Sequence, residues 1–140
     1  MKVLLFLCFI LISFSPAFAA EDDRDLFVVV TSSDAETQMM SMVLATQSAN
    51  QDVNVRVLLC SDGGNLAIEA EEFPVFQPAG RTPQQLLMGL MDRGVTVEVC
   101  AIYLPNREYT EDDLMDGVGT ANPEEIARYM KQEHVRYFTF

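Results

Sequence analysis

The sequence of 140 residues predicts an α/β domain with a mostly parallel β-sheet. Two observations favour this class. Short runs of apolar and β-branched residues have the composition of strands buried on both faces, which is typical of parallel sheets. Segments whose apolar residues recur at helical spacing lie between these runs, and parallel strands need crossover connections of this kind. The order strand, helix, strand, helix, strand indicates crossover units within a single sheet.

Four segments have the pattern of strands. Each is a short stretch in which valine, leucine, isoleucine or aromatic residues dominate. The predicted strands are residues 26–31, 53–60, 95–102 and 134–140. The stretch from 73 to 81 contains prolines and a glycine without any periodicity, so we expect a loop there.

Two crossover helices are predicted, in residues 35–51 and 83–93. In each segment the apolar residues fall on one face of a helix. These residues are Met39, Met42, Val43, Thr46 and Ala49 in the first helix, and Leu86, Leu87, Leu90 and Met91 in the second.

The predicted helices begin at residues that favour helix starts. Ser33 and Thr82 offer hydroxyl caps, and each is followed by a glutamate or glutamine that completes a capping box. Asn122 precedes a proline and two glutamates, which is typical of a further helix start. Carboxylates near a helix N-terminus are stabilised by the helix dipole, so much of the acidic surplus has a structural explanation.

The charge balance argues against one class of partner. The chain has 21 acidic and 9 basic side chains, for a formal net charge of -12. Proteins that bind nucleic acid depend on clustered lysine and arginine to neutralise phosphates. We therefore expect no nucleic-acid partner.

Residues 1–19 have the pattern of a secretory signal peptide. Lys2 provides a positive start, residues 3–14 form an apolar run, and a small-x-small cleavage site ends at Ala19. The apolar run is too short to span a bilayer. We therefore expect a single domain in residues 20–140 that is exported, to the periplasm, without a stable membrane anchor.

Two cysteines, Cys60 and Cys100, remain once Cys8 leaves with the predicted signal peptide. Both lie near the carboxyl ends of predicted strands, where parallel sheets collect ligands and reactive groups. Arg107 is placed to favour a thiolate at Cys100, whereas Glu98, on the same face of the strand, would disfavour it. The residues alone are consistent with a reactive thiol, with a disulfide, or with small buried side chains.

Four segments carry a family resemblance: residues 28–31, 62–64, 86–100 and 114–118. The most specific stretch is Gly-Val-Thr-Val-Glu-Val-Cys at residues 94–100. Through these segments the sequence resembles the DsrE/DsrF-like family, whose members include sulfur-relay subunits, over nearly the whole predicted mature chain. The resemblance implies a three-layer α/β/α fold with a mostly parallel five-stranded sheet, and frequent oligomers.

In the sulfur-relay members, a cysteine at the position of Cys100 carries sulfur as a persulfide. The resemblance implies this sulfur-accepting role for Cys100 alone. Cys60, which lies at the same end of the predicted sheet, is its candidate resolving or disulfide partner. The expected partners are small sulfur species, or a protein that donates or accepts sulfur, and further copies of the chain. No cofactor and no metal are expected. Whether the protein is an enzyme stays open, because a sulfur carrier turns over only with its partners.

Two alternatives remain. If the second and third strands are neighbours, Cys60 and Cys100 come within disulfide distance, and the pair would be a structural bridge in a non-enzymatic binding or assembly module. Thiols beside the methionines of an exported protein are also a candidate Cu(I) site, although core packing explains those methionines better. We expect His134 to be structural or at the surface.

Overall fold

A computed structural model describes residues 24–140, so the predicted signal peptide lies outside the described residues. Five strands form one sheet in the order β4-β3-β2-β1-β5, and every pairing in it is parallel. The strands are β1 Asp25–Val30, β2 Val55–Leu59, β3 Thr96–Val99, β4 Gly119–Thr120 and β5 Val135–Thr139. The α-helices are α1 Ala35–Ala49, α2 Pro83–Met91 and α3 Pro123–Tyr129. The predicted α/β fold with a five-stranded parallel sheet is confirmed.

The larger core lies between one face of the sheet and the helices α1 and α2, which pack side by side. Alternate residues of the three central strands point to this face, as the period of two in a strand requires. They are Leu26, Val28 and Val30 of β1, Val55, Val57 and Leu59 of β2, and Val97 and Val99 of β3. Met42 of α1 and Leu87 and Leu90 of α2 are fully buried against them.

A smaller core lies on the opposite face, under α3. Phe27 of β1 and Leu58 of β2 pack there with Ile126 of α3, and all three side chains are buried. Because helices cover both faces, the molecule has the three layers that the family resemblance implies. Cys60 and Cys100 pack against this smaller core.

The predicted helix starts are confirmed with one correction. Thr82 forms the complete capping box, and the Asn122 side chain accepts amide hydrogens at the start of α3. The cap of α1 is Asp34 and not Ser33, because the Asp34 carboxylate accepts the Thr37 amide hydrogen at 2.8 Å. The same hydrogen bonds lower the pKa of Asp34 below its usual value.

The predicted elements are longer than the observed ones at their carboxyl ends. The first helix ends at Ala49, and the second ends at Met91, shortly before Gly94 turns the chain with a φ of 84°. The strand predicted through residue 102 ends at Val99, because the carbonyl of Cys100 already accepts the Tyr103 amide hydrogen in a turn. Within residues 24–140, no helix combines the length and apolarity that crossing a bilayer demands.

The last strand completes the sheet beside the first one. β5 pairs with β1 from Asp25 to Val29, and the amide of Phe140 donates to the carbonyl of Val29 at 2.9 Å. The amide and hydroxyl of Thr31 in turn donate to the Phe140 carbonyl. The two ends of the described chain are therefore joined along one edge of β1.

A 3₁₀ helix, Ser61–Ala67, follows β2 and passes close to the end of β1. A Cβ atom at Gly63 would lie 2.6 Å from the carbonyl carbon of Val30 and would clash with its oxygen. That oxygen accepts the amide hydrogen of Cys60 at 2.8 Å. Glycine at position 63 is therefore needed for the backbone path that positions Cys60.

Replacing Gly63 by alanine is expected to lower the free energy of unfolding by about 2 kcal/mol or more, because backbone must move to admit the methyl group. Urea unfolding measures the change. The matched control is Gly89→Ala in α2, where a Cβ atom meets nothing within 4 Å and a gain of about 0.5–1 kcal/mol is expected. Unchanged stability of Gly63→Ala would contradict the close approach to β1.

Candidate functional site at the paired cysteines

Cys60 and Cys100 form a disulfide at the carboxyl ends of β2 and β3. The two strands are neighbours, and Leu59 pairs with Val99, so the next residue of each chain segment lies opposite the other. The Cα atoms are 5.1 Å apart, within the range that a disulfide needs. The structure thus joins the two cysteines that the sequence placed at the ligand-binding end of the sheet.

Backbone hydrogen bonds hold both cysteines in place. The amide of Cys60 donates to the carbonyl of Val30 at 2.8 Å, and the amide of Cys100 donates to the carbonyl of Leu59 at 2.9 Å. Both side chains are partly exposed and lie against the smaller core. The disulfide is therefore fixed at its backbone, and neither cysteine residue is fully buried.

Tyr103 links the two segments that carry the cysteines. Its hydroxyl donates to Oδ1 of Asn65 at 2.7 Å, and its ring lies so close to Gly64 that a Cβ there would be 2.7 Å from Cζ. The side chain is only 3% exposed. Burial raises the pKa of Tyr103 to about 12, with the nearby Arg107 opposing the shift.

An ion pair makes a second link between the same segments. Arg107 donates to Oδ1 of Asp62 at 2.7 Å, and its guanidinium lies 5.5 Å from the centre of the Tyr103 ring. The sequence suggested Arg107 as a positive charge that acts on Cys100. In the structure its carboxylate partner is Asp62, and it ties together the segments on either side of the disulfide.

The charge of Glu98 is also paired. Arg56 of β2 donates to Oε2 of Glu98 at 2.6 Å, and both side chains are largely buried. The Arg56 guanidinium lies 5.1 Å from the centre of the Tyr129 ring on α3. Arg56 therefore counters the negative charge that the sequence placed on the same strand face as Cys100.

Other residues considered from the sequence lie elsewhere. His134 lies at the start of β5, with Nε2 3.7 Å from a carboxylate oxygen of Asp25. Met42 and Met115 belong to the larger core. Core packing therefore accounts for these two methionines, whereas Met40, Met88 and Met130 are exposed and do not fit the expectation of core packing.

An apolar groove opens beside the disulfide, between α3 and the turn that follows β3. It encloses about 300 Å³. We call it the α3 groove, and it is lined by Leu58, Cys100, Ala101, Ile102, Ala121, Pro123, Ile126, Ala127 and Met130. Cys100 is the cysteine of the pair that lines it.

Further residues complete this site, and the sequence pattern did not predict them. Asn65, as partner of Tyr103, and α3, as the wall of the groove, carry no recognisable chemical motif. The one signal that pointed to these contacts was the pair of adjacent glycines at 63 and 64, which indicates close approach of another chain segment.

Comparison with known proteins establishes the family. The model of the DsrE/DsrF-like family matches residues 24–140, and the chain therefore belongs to that family. It is 25% identical over 114 residues to the uncharacterized protein MJ0760 of Methanocaldococcus jannaschii, an alignment that includes 80% of this chain. The chain spans 42% of the length of that relative.

Two solved structures share the fold. The ychN protein from E. coli superposes with a TM-score of 0.71 at 23% sequence identity, covering 84% of this chain and 99% of that one. The protein of unknown function MTH1491 from Methanobacterium thermoautotrophicum gives a TM-score of 0.62 at 20% identity, covering 84% and 98% of the two chains. At this level of identity, the likeness establishes the fold.

Tyr103→Phe tests the link between the cysteine segments by alkaline titration. The wild-type tyrosinate absorbance should include a phase at about pH 12 that the variant lacks. Because the folded-state pKa of Tyr103 is raised above the ordinary tyrosine value of 10.0, the stability gained from the neutral phenol is present below about pH 10 and is lost between about pH 10 and 12. The free energy of unfolding of the variant should therefore depend less on pH in this window.

Tyr137→Phe is the control for this titration, because its side chain is 43% exposed on β5. It should keep the phase at about pH 12. If both variants keep the absorbance phase at about pH 12, that phase does not come from Tyr103, and the description of Tyr103 as buried between the two segments is wrong.

Proposed function

We propose that this protein is a thiol–disulfide protein in which reduced Cys100 accepts sulfane sulfur and Cys60 resolves the resulting persulfide. The observation that carries the proposal is the bonded, partly exposed pair at the carboxyl ends of adjacent parallel strands. Membership of a family that includes sulfur-relay subunits supports sulfur as the group transferred.

The proposed reaction has two balanced steps. The Cys100 thiolate attacks the terminal sulfur of a persulfide, a bond forms from Sγ to that sulfur, and the donor leaves as its thiolate. The Cys60 thiolate then attacks Sγ of Cys100, the disulfide forms, and the terminal sulfur leaves as hydrosulfide. An external reductant, either one dithiol or two monothiols, must reduce the disulfide before another cycle, and it is itself oxidised to a disulfide.

The assignment of Cys100 as acceptor rests on access. Cys100 lines the α3 groove, whereas Cys60 leads directly into the 3₁₀ helix that is packed against β1. An incoming sulfur donor therefore has an open approach to Cys100. Cys60 is close enough to bond to Cys100, with 5.1 Å between the two Cα atoms, and this proximity suits the resolving role.

The links beside the disulfide support a pair that opens and closes without unfolding. The hydrogen bond from Tyr103 to Asn65 and the ion pair of Arg107 with Asp62 join the same two segments independently of the sulfur–sulfur bond. These contacts limit the separation of the cysteines after reduction. A persulfide on Cys100 would thus remain within reach of Cys60.

The compartment and the assembly are part of the proposal. The signal-peptide pattern of residues 1–19 favours export to the periplasm, where disulfides form and persist. The donor or acceptor would be a small sulfur species or a partner protein, and homo-oligomers are expected from the family resemblance.

Loading with polysulfide tests the acceptor. The reduced protein should gain the mass of one or more sulfur atoms in the Cys60→Ser variant, which cannot resolve the persulfide. Wild-type protein should instead release sulfide and return to the disulfide. Intact mass spectrometry and a sulfide assay measure the two outcomes.

Cys100→Ser is the matched control, since it keeps a single thiol at Cys60. It should gain no sulfur under the same loading. A sulfur adduct that persists in Cys100→Ser at the level seen in Cys60→Ser would overturn the assignment of Cys100.

A structural bridge is the second candidate, and the packing of both cysteines against the smaller core favours it. The cysteines are separated by 40 positions. In the chain-entropy model, closing a loop of about 40 residues stabilises the folded state by about 4 kcal/mol. Such a bridge resists mild reductants, whereas a working redox pair exchanges with them.

A redox titration separates the two candidates. We expect the pair to equilibrate with a glutathione or dithiothreitol buffer at a potential above about -300 mV, because a working pair must be reducible. The reduced protein should keep its far-ultraviolet circular dichroism. A potential below that value, with unfolding on reduction, would assign the disulfide a structural role.

A further inference from the structure

We infer that the α3 groove binds the uncharged, apolar substituent of a low-molecular-weight thiol or persulfide that reacts at Cys100. The inference rests on the proposed function for the identity of the reacting sulfur, and it adds the class of molecule that the site selects. Three properties of the groove carry it: its chemistry, its size and the exposure of its rim.

The chemistry of the groove favours an uncharged ligand. Apart from the disulfide-bonded Cys100, its lining side chains are aliphatic, methionine or proline. A charged substituent placed there would lose its hydration and gain no ionic or hydrogen-bonding side chain in return. An apolar substituent is instead stabilised by leaving water.

The size of the groove favours a small group. About 300 Å³ is at the lower end of the range for ligand pockets. Leu58, Ala121 and Ile126 form a buried floor, so the groove ends at the smaller core. A benzyl group or a branched alkyl chain suits such a space.

The rim of the groove is apolar and open. Ile102 is 73% exposed and Met130 is 46% exposed, and they line the groove from the turn after β3 and from the end of α3. Two large apolar side chains that are exposed together beside Cys100 are more typical of a binding site than of ordinary protein surface. A bound apolar group would cover both of them.

The groove also determines which sulfur is attacked. A thiolate whose substituent lies in the groove reaches Sγ of Cys100, forms a mixed disulfide with it, and displaces Cys60 as the thiolate. A second thiolate then attacks the substrate sulfur of the mixed disulfide, so that the substrate leaves as its disulfide and Cys100 is released as thiolate. Two thiols are oxidised and one protein disulfide is reduced.

Reduction kinetics of the oxidised protein test the selectivity. The probes are phenylmethanethiol, 2-mercaptoethanol and mercaptoacetate, and each rate constant is divided by the rate constant of the same thiol with a small reference disulfide. We expect a normalised preference for phenylmethanethiol of about tenfold or more, the order of discrimination that apolar pockets achieve. Alkylation of the quenched reaction should place the mixed disulfide on Cys100 and the free thiol on Cys60.

Ala127→Leu fills the groove from α3 without adding charge. Because Ala127 is exposed, the variant should fold normally. The three thiols should then reduce it at equal normalised rates, because the leucine side chain occupies the groove. The matched control is Ala79→Leu, in the exposed loop before α2, which should keep the wild-type preference.

An unreactive analogue checks binding apart from chemistry. Benzyl methyl sulfide should shift the methyl resonances of Ile102 and Met130 in the oxidised protein, and Ala127→Leu should abolish the shifts. Equal normalised rates for the three thiols, or a preference unaffected by Ala127→Leu, would overturn the inference. So would rates that fall with protein concentration, because a second copy would then occupy the groove.

The two proposals fail separately. If polysulfide loading gives no adduct on Cys100 while the thiol preference holds, the groove selects thiols and sulfur acceptance is wrong. If Cys100 takes up sulfur but shows no preference among the thiols, sulfur acceptance stands and the substrate class is wrong.

Discussion

The parallel register between β2 and β3 is the constraint on which the site depends. Leu59 and Val99 are paired and fully buried, so the position of each strand along the other is fixed by the larger core. A shift by one residue would move every apolar side chain of β3 to the wrong face. The core therefore sets the distance between Cys60 and Cys100, so the cysteine pair depends on packing that lies on the other face of the sheet.

Tight backbone contacts extend this constraint beyond the strands. Gly63 lies against the carbonyl of Val30, and Gly64 lies under the ring of Tyr103. The segment after Cys60 is thus held between β1 and the turn after β3, with Asp62 and Arg107 paired across the outside. The disulfide therefore joins two segments that these other contacts already position.

The repeating patterns of the sequence predicted the fold well. Buried strands, capped helices and the end of the sheet at which both cysteines lie all follow from periodicity and capping residues. β4 has no such pattern, because two residues, Gly119 and Thr120, make a strand only through their position beside β3. The predicted third strand extends too far at its carboxyl end, because apolar residues continue in the sequence after the last residue that pairs with a neighbouring strand. Ile102 is one such residue, and it is exposed at the rim of the α3 groove.

The candidate site was predictable only in part. The position of Cys60 and Cys100 follows from local pattern, but the partners of Arg107 and Glu98 depend on which chain segments meet in three dimensions. A charged residue near a cysteine in sequence carries no information about a carboxylate or guanidinium on another strand. The groove beside α3 likewise depends on how a short helix lies across the sheet, which no spacing encodes.

The pairing of the last strand with the first one has a consequence for biosynthesis. β1 has β2 on one side and β5 on the other, and Phe140, the last residue, donates and accepts hydrogen bonds with Val29 and Thr31. One edge of β1 therefore stays unpaired until β5 has been synthesised and has reached the sheet. A chain truncated before β5 would present an open strand edge to its neighbours.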